Sequence, residues 1–276
     1  MTKGGLGSRL IVAAWGIPLL LGLTWLGGWW TAALMAGVGL VAQYEYYQLM
    51  EAQGRKPLTK TGLVAGVVIT IIWQIAGMEP LGWTLAVIFL LLALGTLLTE
   101  RKHSDLLATF GGICYPPLLG GAFLLLRGYD DGGNAGRALA FGLWGAIWIC
   151  DTAAFAGGKA FGKHPLMPAV SPKKTVEGFF SGLIGAGAFM AVWWGIGWIE
   201  LDLALVVTFA AGLIGQLGDL IESSIKREAG VKDSGAFLPG HGGALDRFDS
   251  LFAAAPVVAM YLLVRSAFRF EALLPW

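Results

Sequence analysis

The residues best suited to chemistry lie in one polar stretch, Asp219–Asp249, which is flanked by apolar segments. Asp219 and Ser223 are four residues apart in it, so on a helix they share a face. A charged group at the edge of an apolar helix is costly, which favours a functional role for Asp219. The alternative is a solvated helix end in which Glu222 pairs with Lys226, also four residues apart.

Two further carboxylates, Asp246 and Asp249, stand three residues apart at the expected start of the last helix. Acidic groups suit the positive end of the helix dipole, so N-capping is one interpretation of either residue. Together with Asp219 they would supply the carboxylate oxygens that Mg²⁺ uses beside substrate phosphates. We therefore predict a magnesium site at Asp219, Asp246 and Asp249, with a second cation as a further option.

The loop before these carboxylates is rich in glycine and proline. Backbone amides at Gly242 and Gly243 can approach a phosphate closely because no side chain intervenes. His241 is either a hydrogen-bonding loop residue or a phosphate contact, and its surroundings do not favour a zinc ligand.

Asp151 follows a wholly apolar run, residues 139–150. An ionisable residue inside a membrane segment is a functional candidate by default. The structural alternative is a carboxylate satisfied by neighbouring hydroxyl groups. The nearby sequence Gly157-Gly158-Lys159 is only a weak echo of a phosphate-binding loop, because the Lys-Ser/Thr pair and its spacing are absent.

An adjacent lysine pair, Lys173 and Lys174, is flanked by Ser171 and Thr175 at the expected start of a helix. Helix N-termini bind anions, so this segment predicts an anion site. The alternative is ordinary basic residues flanking a membrane segment. Acidic and basic clusters of these kinds together fit phosphoryl or nucleotidyl transfer, in which cations neutralise phosphate oxygens.

The composition indicates how these residues must be positioned. The chain has 276 residues, of which 56% are hydrophobic and 13% are charged; soluble domains carry about 25% charged residues. We predict an all-α, polytopic integral membrane helical bundle, and the 42 glycines suit close helix packing. Cys114 and Cys150 lie in apolar segments and predict no disulfide.

Membrane-spanning helices need about 20 mostly apolar residues. Nine segments qualify, and they are residues 10–27, 29–49, 62–78, 81–99, 106–126, 138–157, 178–199, 203–221 and 250–268. We interpret the first as a retained helix, not a cleaved signal peptide. Pro116-Pro117 predicts a kink in the fifth.

Nine spans place the two termini on opposite sides of the membrane, which allows the basic residues to be sorted. Of the 19 lysines and arginines, all but Arg127, Arg137, Arg265 and Arg269 fall on the side of the N-terminus. Basic residues accumulate in the cytoplasm. We therefore predict a cytoplasmic N-terminus and a candidate site facing the cytoplasm, in a bacterial inner membrane.

The polar stretch also resembles a family signature. From residue 223 to residue 249 it reads S-x-I-K-R-x4-K-D-x-G-x2-L-P-x-H-G-G-x2-D-R-F-D, which is similar to the signature of the phosphatidate cytidylyltransferases (CDP-diacylglycerol synthases). The block at residues 171–178 and the Asp151 segment resemble upstream features of the same family. Ala244 departs from the pattern, at a packing position where we expect a larger aliphatic residue.

The resemblance implies an enzyme that transfers CMP from CTP to phosphatidate, giving CDP-diacylglycerol and pyrophosphate for phospholipid synthesis, with magnesium required. It implies catalytic roles for six residues: Asp219, Lys226, Arg227, His241, Asp246 and Asp249. It implies substrate contacts at ten others: Asp151, Ser171, Lys173, Lys174, Thr175, Ser223, Lys232, Gly242, Gly243 and Arg247. It also implies a homodimer, and we expect no nucleic-acid partner.

We expect residues 1–276 to form one integral membrane domain. Residues 138–276 would be its catalytic half, and residues 1–137 would serve as scaffold and dimer contacts. One alternative is a related lipid nucleotidyltransferase or CTP-dependent lipid kinase with another lipid substrate. Another is an ion-coupled transporter, but its carboxylates would lie near the bilayer midplane.

Overall fold

The computed structural model describes residues 6–237 and 242–271, with side chains from 14 to 237 and from 242 to 267. The helices, numbered in chain order, are α1 (Leu6–Leu26), α2 (Gly28–Ala52), α3 (Thr59–Ala76), α4 (Leu81–Leu98), α5 (His103–Ile113), α6 (Gly120–Gly128), α7 (Asn134–Phe161), α8 (Val176–Gly195), α9 (Leu201–Phe209), α10 (Gln216–Glu228) and α11 (Leu245–Glu271). The predicted all-α membrane fold is confirmed.

Seven helical segments in the described part of the chain are long and apolar enough to cross a membrane. They are Thr59–Ala76, Leu81–Leu98, His103–Gly128, Asn134–Phe161, Val176–Gly195, Leu201–Glu228 and Leu245–Ala267. The other two predicted spans correspond to α1 and α2. The α2 helix is long enough, but its second half carries Gln43 and Glu45 among several tyrosines. The number of spans and the side of the N-terminus stay predictions.

Two of the long segments contain a π-helical turn. Cys114–Leu119 joins α5 to α6, and Ala210–Gly215 joins α9 to α10. The predicted kink at Pro116-Pro117 coincides with the first of these turns. Proline lacks the N–H group that an α-helical turn requires, and the wider turn accommodates this loss without ending the helix. The second turn leads directly into the helix that carries Asp219.

The chain divides into two compact units. The first contains the described residues of Met1–Leu125 and Asp219–Asp249, and the second contains those of Leu126–Gly218 and Ser250–Trp276. The polar stretch Asp219–Asp249 thus belongs with the N-terminal helices. The predicted division into a catalytic half and a scaffold half concerns function, and it stays a prediction.

The core of the first unit is organised by polar side chains of α2. Gln43 Nε2 donates to the Gly62 carbonyl (2.8 Å) and to the Tyr47 hydroxyl (2.9 Å). The Tyr47 hydroxyl in turn donates to the Thr109 carbonyl (2.8 Å). Both side chains are fully buried, so these bonds tie α2 to α3 and α5. They also fix the rotation of α2 about its axis, and Glu45 projects from the opposite side of this helix.

In the second unit, α7 and α8 pack closely because small residues line their contact. A side-chain carbon added at Gly157 would overlap Ser181, and one added at Gly182 would lie 3.0 Å from the Cys150 sulfur. This is the close glycine-mediated packing that the composition predicted. Cys150 is buried, Cys114 is half-buried and both are free thiols, which confirms the prediction of no disulfide.

A short antiparallel hairpin connects α7 to α8. Its strands are β1 (Pro165–Met167) and β2 (Ser171–Thr175). The Val176 amide donates to the His164 carbonyl (2.9 Å), which closes the base of the hairpin. The predicted lysine pair therefore lies on a strand that leads straight into a helix.

Candidate functional site

Three carboxylates of the first unit converge. Ligand oxygens of Asp219, Glu222 and Asp249 lie within 4.8 Å of one another. Asp219 and Glu222 are three residues apart on α10, so one helix face presents both, and Asp249 comes from the first turns of α11. Glu222 and Asp249 are buried and Asp219 is half-buried. The three together form what we call the acidic cluster.

A buried lysine neighbours this cluster. The Lys226 ammonium forms an ion pair with Glu222, one helical turn away on α10, and contacts Asp246 Oδ1 at 2.5 Å. The exposed fractions of the three side chains are 10% for Lys226, 0% for Glu222 and 8% for Asp246. The expected pairing of Glu222 with Lys226 is present, but it is buried and does not form a solvated helix end.

Glu222 differs from the other carboxylates in its hydrogen bonding. Both of its carboxylate oxygens are buried; Oε2 faces the Lys226 ammonium, and Oε1 has no hydrogen-bond donor among the described residues. Its contact with Lys226 is an ion pair. A buried carboxylate with spare acceptor capacity is costly, so Glu222 is well suited to receive a cation.

Asp246 has a full set of protein donors. Its Oδ1 faces Lys226, and its Oδ2 accepts hydrogen bonds from the Gly243 amide (2.8 Å), the Ser234 amide (3.0 Å) and the Ser234 hydroxyl (3.0 Å). A side-chain carbon at Gly243 would overlap the Ser234 hydroxyl. The close approach of this backbone therefore requires glycine. The predicted metal-binding role of Asp246 stays a prediction.

Glu45 on α2 is a site residue that the sequence reasoning did not identify. It is 3% exposed and accepts hydrogen bonds from the Ala244 amide (3.1 Å) and the Leu245 amide (2.8 Å). The Ser234 hydroxyl lies 3.1 Å from Glu45 Oε2, so Glu45 shares the single hydroxyl proton with Asp246 Oδ2. The rule that flagged Asp151, an ionisable residue within an apolar segment, applies equally to Glu45 and could have found it.

The remaining predicted residues of this unit surround the cluster. The Ser223 hydroxyl donates to Asp219 Oδ1 (3.3 Å), as their shared helix face predicted. Arg227 is exposed and donates to the Val231 carbonyl (2.8 Å). Lys232 and Arg247 are exposed, and Gly242 has a positive φ of 82°. His241 lies outside the described residues.

The predicted anion site belongs to the second unit. Lys173 is exposed on β2, while Ser171, Lys174 and Thr175 are half-buried. The Thr175 hydroxyl accepts a hydrogen bond from the Gly178 amide (3.1 Å) and so caps α8. The helix start predicted from this segment is confirmed. The cap satisfies the Gly178 amide, one of the first backbone amides that have no acceptor within α8. A role in substrate binding stays a prediction.

Asp151 lies on α7 and is exposed. The neighbouring Thr152 hydroxyl donates to the Trp148 carbonyl (2.8 Å), so that donor is committed to the helix backbone. Asp151 and Lys174 both interact electrostatically with Cys150. The second unit therefore brings the Asp151 segment and the lysine pair to the same region.

Taken together, these features define a class: a helical integral membrane protein with a buried acidic cluster, a buried lysine and a basic hairpin. The chain belongs to the cytidylyltransferase family, whose model matches residues 7–265. The predictions of an enzyme and of a nucleotidyltransferase are confirmed, and they replace the transporter alternative.

Several relatives named phosphatidate cytidylyltransferase are similar to this chain. One from Staphylococcus epidermidis is 33% identical over 247 residues, which cover 83% of this chain and 90% of the relative. One from Staphylococcus saprophyticus is 48% identical over 120 residues, which cover 42% of this chain and 46% of the relative. The second alignment thus spans less than half of that relative. The family predicted from residues 223–249 is confirmed.

Proposed function

We propose that this protein is a phosphatidate cytidylyltransferase, which transfers CMP from CTP to phosphatidate and forms CDP-diacylglycerol and pyrophosphate. Membership of the cytidylyltransferase family and relatives of that name support the activity. The observation that carries the chemistry is the acidic cluster of Asp219, Glu222 and Asp249 beside a buried lysine. Carboxylates that can hold a metal ion, next to a lysine ammonium, are suited to neutralising the negative charge of substrate phosphates.

The reaction needs one bond to form and one to break. A phosphate oxygen of phosphatidate attacks the α-phosphorus of CTP and forms the new bond. The bond from the α-phosphorus to the oxygen that bridges it to the β-phosphorus breaks, and that oxygen leaves with pyrophosphate. The attacking phosphate is already anionic, so no strong general base is required. The protein would contribute mainly by positioning both substrates and by stabilising negative charge.

The acidic cluster fits a magnesium ion. The cluster offers three carboxylate oxygens that lie within 4.8 Å of one another, and carboxylate oxygens beside substrate phosphates are the ligands that Mg²⁺ takes. The buried Glu222 oxygens have acceptor capacity to spare. We propose that Asp219, Glu222 and Asp249 hold the ion. When bound, it would neutralise phosphate oxygens during the transfer.

Asp246 would then act through Lys226. With Oδ1 on the lysine and Oδ2 on three protein donors, it is suited to hold the ammonium toward a phosphate. We propose further that Arg227, Lys232, Arg247, Lys173 and Lys174 bind substrate phosphates. The homodimer stays a prediction.

The assay that tests this proposal supplies purified protein with CTP, phosphatidate and MgCl₂. We expect CDP-diacylglycerol and pyrophosphate in equal amounts, with about 10²- to 10³-fold lower turnover in Asp246→Asn, since removing a group that organises transition-state charge costs about that much. Asp233→Asn alters an exposed acid of the same stretch and serves as the control. No product from folded protein, or undiminished turnover in Asp246→Asn, would refute the proposal.

Magnesium titration distinguishes two roles for Asp246, which are direct binding of the ion and orientation of Lys226. If Glu222 is a ligand and Asp246 is not, Glu222→Gln raises the half-saturating Mg²⁺ concentration by roughly 10-fold or more, whereas Asp246→Asn lowers turnover at an unchanged Mg²⁺ requirement. The reverse pattern would assign the ion to Asp246, as the sequence predicted. Product formed from other lipid phosphates but not from phosphatidate would favour a related lipid nucleotidyltransferase.

We also propose that the site faces the cytoplasm at the inner membrane, because the basic residues sort strongly to one side. A Lys232→Cys variant, with Cys114 and Cys150 replaced, tests this. We expect an impermeant thiol reagent to label it in inverted vesicles and not in intact spheroplasts. Labelling in spheroplasts would reverse the orientation.

A further inference from the structure

Glu45 is a buried acidic residue on α2, and the proposed reaction assigns it no role. Its exposed fraction is 3%. Burying a carboxylate without partners is expensive, so the groups that compensate it indicate what it does. Its partners come from one place, the segments on either side of residues 238–241.

Two of these partners are backbone amides at the start of α11. Oε1 accepts from Ala244 at 3.1 Å, and Oε2 accepts from Leu245 at 2.8 Å. The first amides of a helix have no partner within it. Ala244 has no side-chain oxygen to serve as a cap. Glu45 therefore supplies, from a distant helix, the acceptors that the start of α11 lacks.

The third partner links Glu45 to Asp246. The Ser234 hydroxyl lies 3.1 Å from Glu45 Oε2 and 3.0 Å from Asp246 Oδ2. The Ser234 amide also donates to Asp246 Oδ2 at 3.0 Å. Asp246 Oδ1 in turn contacts Lys226. Glu45 is thus connected to the lysine through Ser234 and Asp246.

Glycines shape the backbone around this carboxylate. A side-chain carbon added at Gly235 or at Gly243 would overlap the Glu45 carboxyl group. The backbone on both sides of residues 238–241 therefore approaches Glu45 as closely as it can. The same backbone supplies the Ser234 and Gly243 amides that donate to Asp246 Oδ2.

We propose that Glu45 is a positioning residue of the transfer reaction: it holds Ser234 and the start of α11 so that Asp246 keeps Lys226 oriented. The inference rests on the proposed cytidylyltransferase activity. Within the described residues, the hydrogen bonds of Glu45 go to Ser234, Ala244 and Leu245 and not to Lys226 or the acidic cluster, so its influence passes through other groups.

The kinetic test uses Glu45→Gln, which keeps the side-chain size but removes the charge and turns an NH₂ group toward backbone donors. We expect kcat to fall roughly 10- to 100-fold, the range for groups that orient functional residues. The KM values for CTP and phosphatidate should change less than about two-fold, because ground-state contacts remain. Glu51→Gln, an exposed acid on the same helix, should keep wild-type kinetics. Unchanged kcat in Glu45→Gln would overturn the inference.

Ser234→Ala tests the connection, and it also serves if Glu45→Gln does not fold. Alone it should lower kcat at constant KM. Combined with Glu45→Gln, it should lower kcat little beyond the larger single effect, because both changes break one path. Wild-type kcat in Ser234→Ala, or a combined loss equal to the product of the single losses, would contradict this path.

Hydrogen–deuterium exchange gives a readout independent of turnover. In Glu45→Gln, amides in the peptide covering residues 243–249 should exchange roughly ten-fold faster or more, because their acceptor is weakened. Glu51→Gln should leave that peptide unchanged. Wild-type protein without transfer activity would refute the proposed function, while unchanged exchange in Glu45→Gln would refute the role of Glu45.

Discussion

The buried charge network of the first unit and the hairpin of the second unit carry their charges in opposite ways. In the first, Glu222, Lys226 and Asp246 are 10% exposed or less and contact one another directly. In the second, Lys173 is exposed on a five-residue strand. Buried charges must be paired to be tolerated, whereas exposed lysines are hydrated and free to move.

This difference indicates a division of labour. A network of buried, hydrogen-bonded charges is already ordered before substrate arrives, and preordered charge is what stabilises a transition state. Exposed lysines contribute long-range attraction and flexible phosphate contacts, which salt weakens. We expect substitutions in the buried network of Glu222, Lys226 and Asp246 to affect stability and turnover together, and substitutions of the hairpin lysines to affect substrate affinity alone.

The largest effect should come from Lys226→Met. The change leaves Glu222 and Asp246 buried without their shared cation, which costs about 3–5 kcal/mol of unfolding free energy for a broken buried pair. Thermal unfolding in detergent, followed by circular dichroism, measures this. Lys232→Met, at an exposed lysine of the same stretch, should stay within about 0.5 kcal/mol. Equal stability of the two variants would remove the contrast between buried and exposed charges.

An intermediate effect is expected for the double variant Lys173→Gln, Lys174→Gln. Loss of two charges that we propose bind substrate phosphates should raise the KM for one or both substrates by about 10-fold, which corresponds to about 1.4 kcal/mol, at unchanged melting temperature. The salt dependence of kcat/KM should also weaken. Lys60→Gln, an exposed lysine on α3, is the control. If the double variant melted at a lower temperature with unchanged KM values, Lys173 and Lys174 would contribute to stability and not to substrate binding.

The smallest effect is expected for Thr175→Ala, which removes the cap of α8. Loss of a threonine cap costs about 1 kcal/mol, so the melting temperature should fall by a few degrees. Thr175→Ser retains an oxygen that can accept from the Gly178 amide and should restore most of the loss. Identical melting temperatures for the alanine variant and the wild type would show that the cap contributes nothing.

Much of the local structure could be predicted from the sequence. The apolar segments marked the long helices, and the spacing of Asp219 and Ser223 predicted their contact on one helix face. The segment with Lys173 and Lys174 marked a helix start that Thr175 does cap. Each of these depends on neighbours within a few residues, whose geometry the helical repeat determines.

The partners of individual carboxylates depend on tertiary structure. Sequence spacing suggested Asp219, Asp246 and Asp249 as one group; the fold adds Glu222 to Asp219 and Asp249 and pairs Asp246 with Lys226. It also brings Glu45 to Ser234 across 189 residues of sequence. The sequence by itself determined the helices, their membrane character and the family. Only the tertiary structure decided which buried charges meet, because contacts between distant helices depend on packing that no local periodicity encodes.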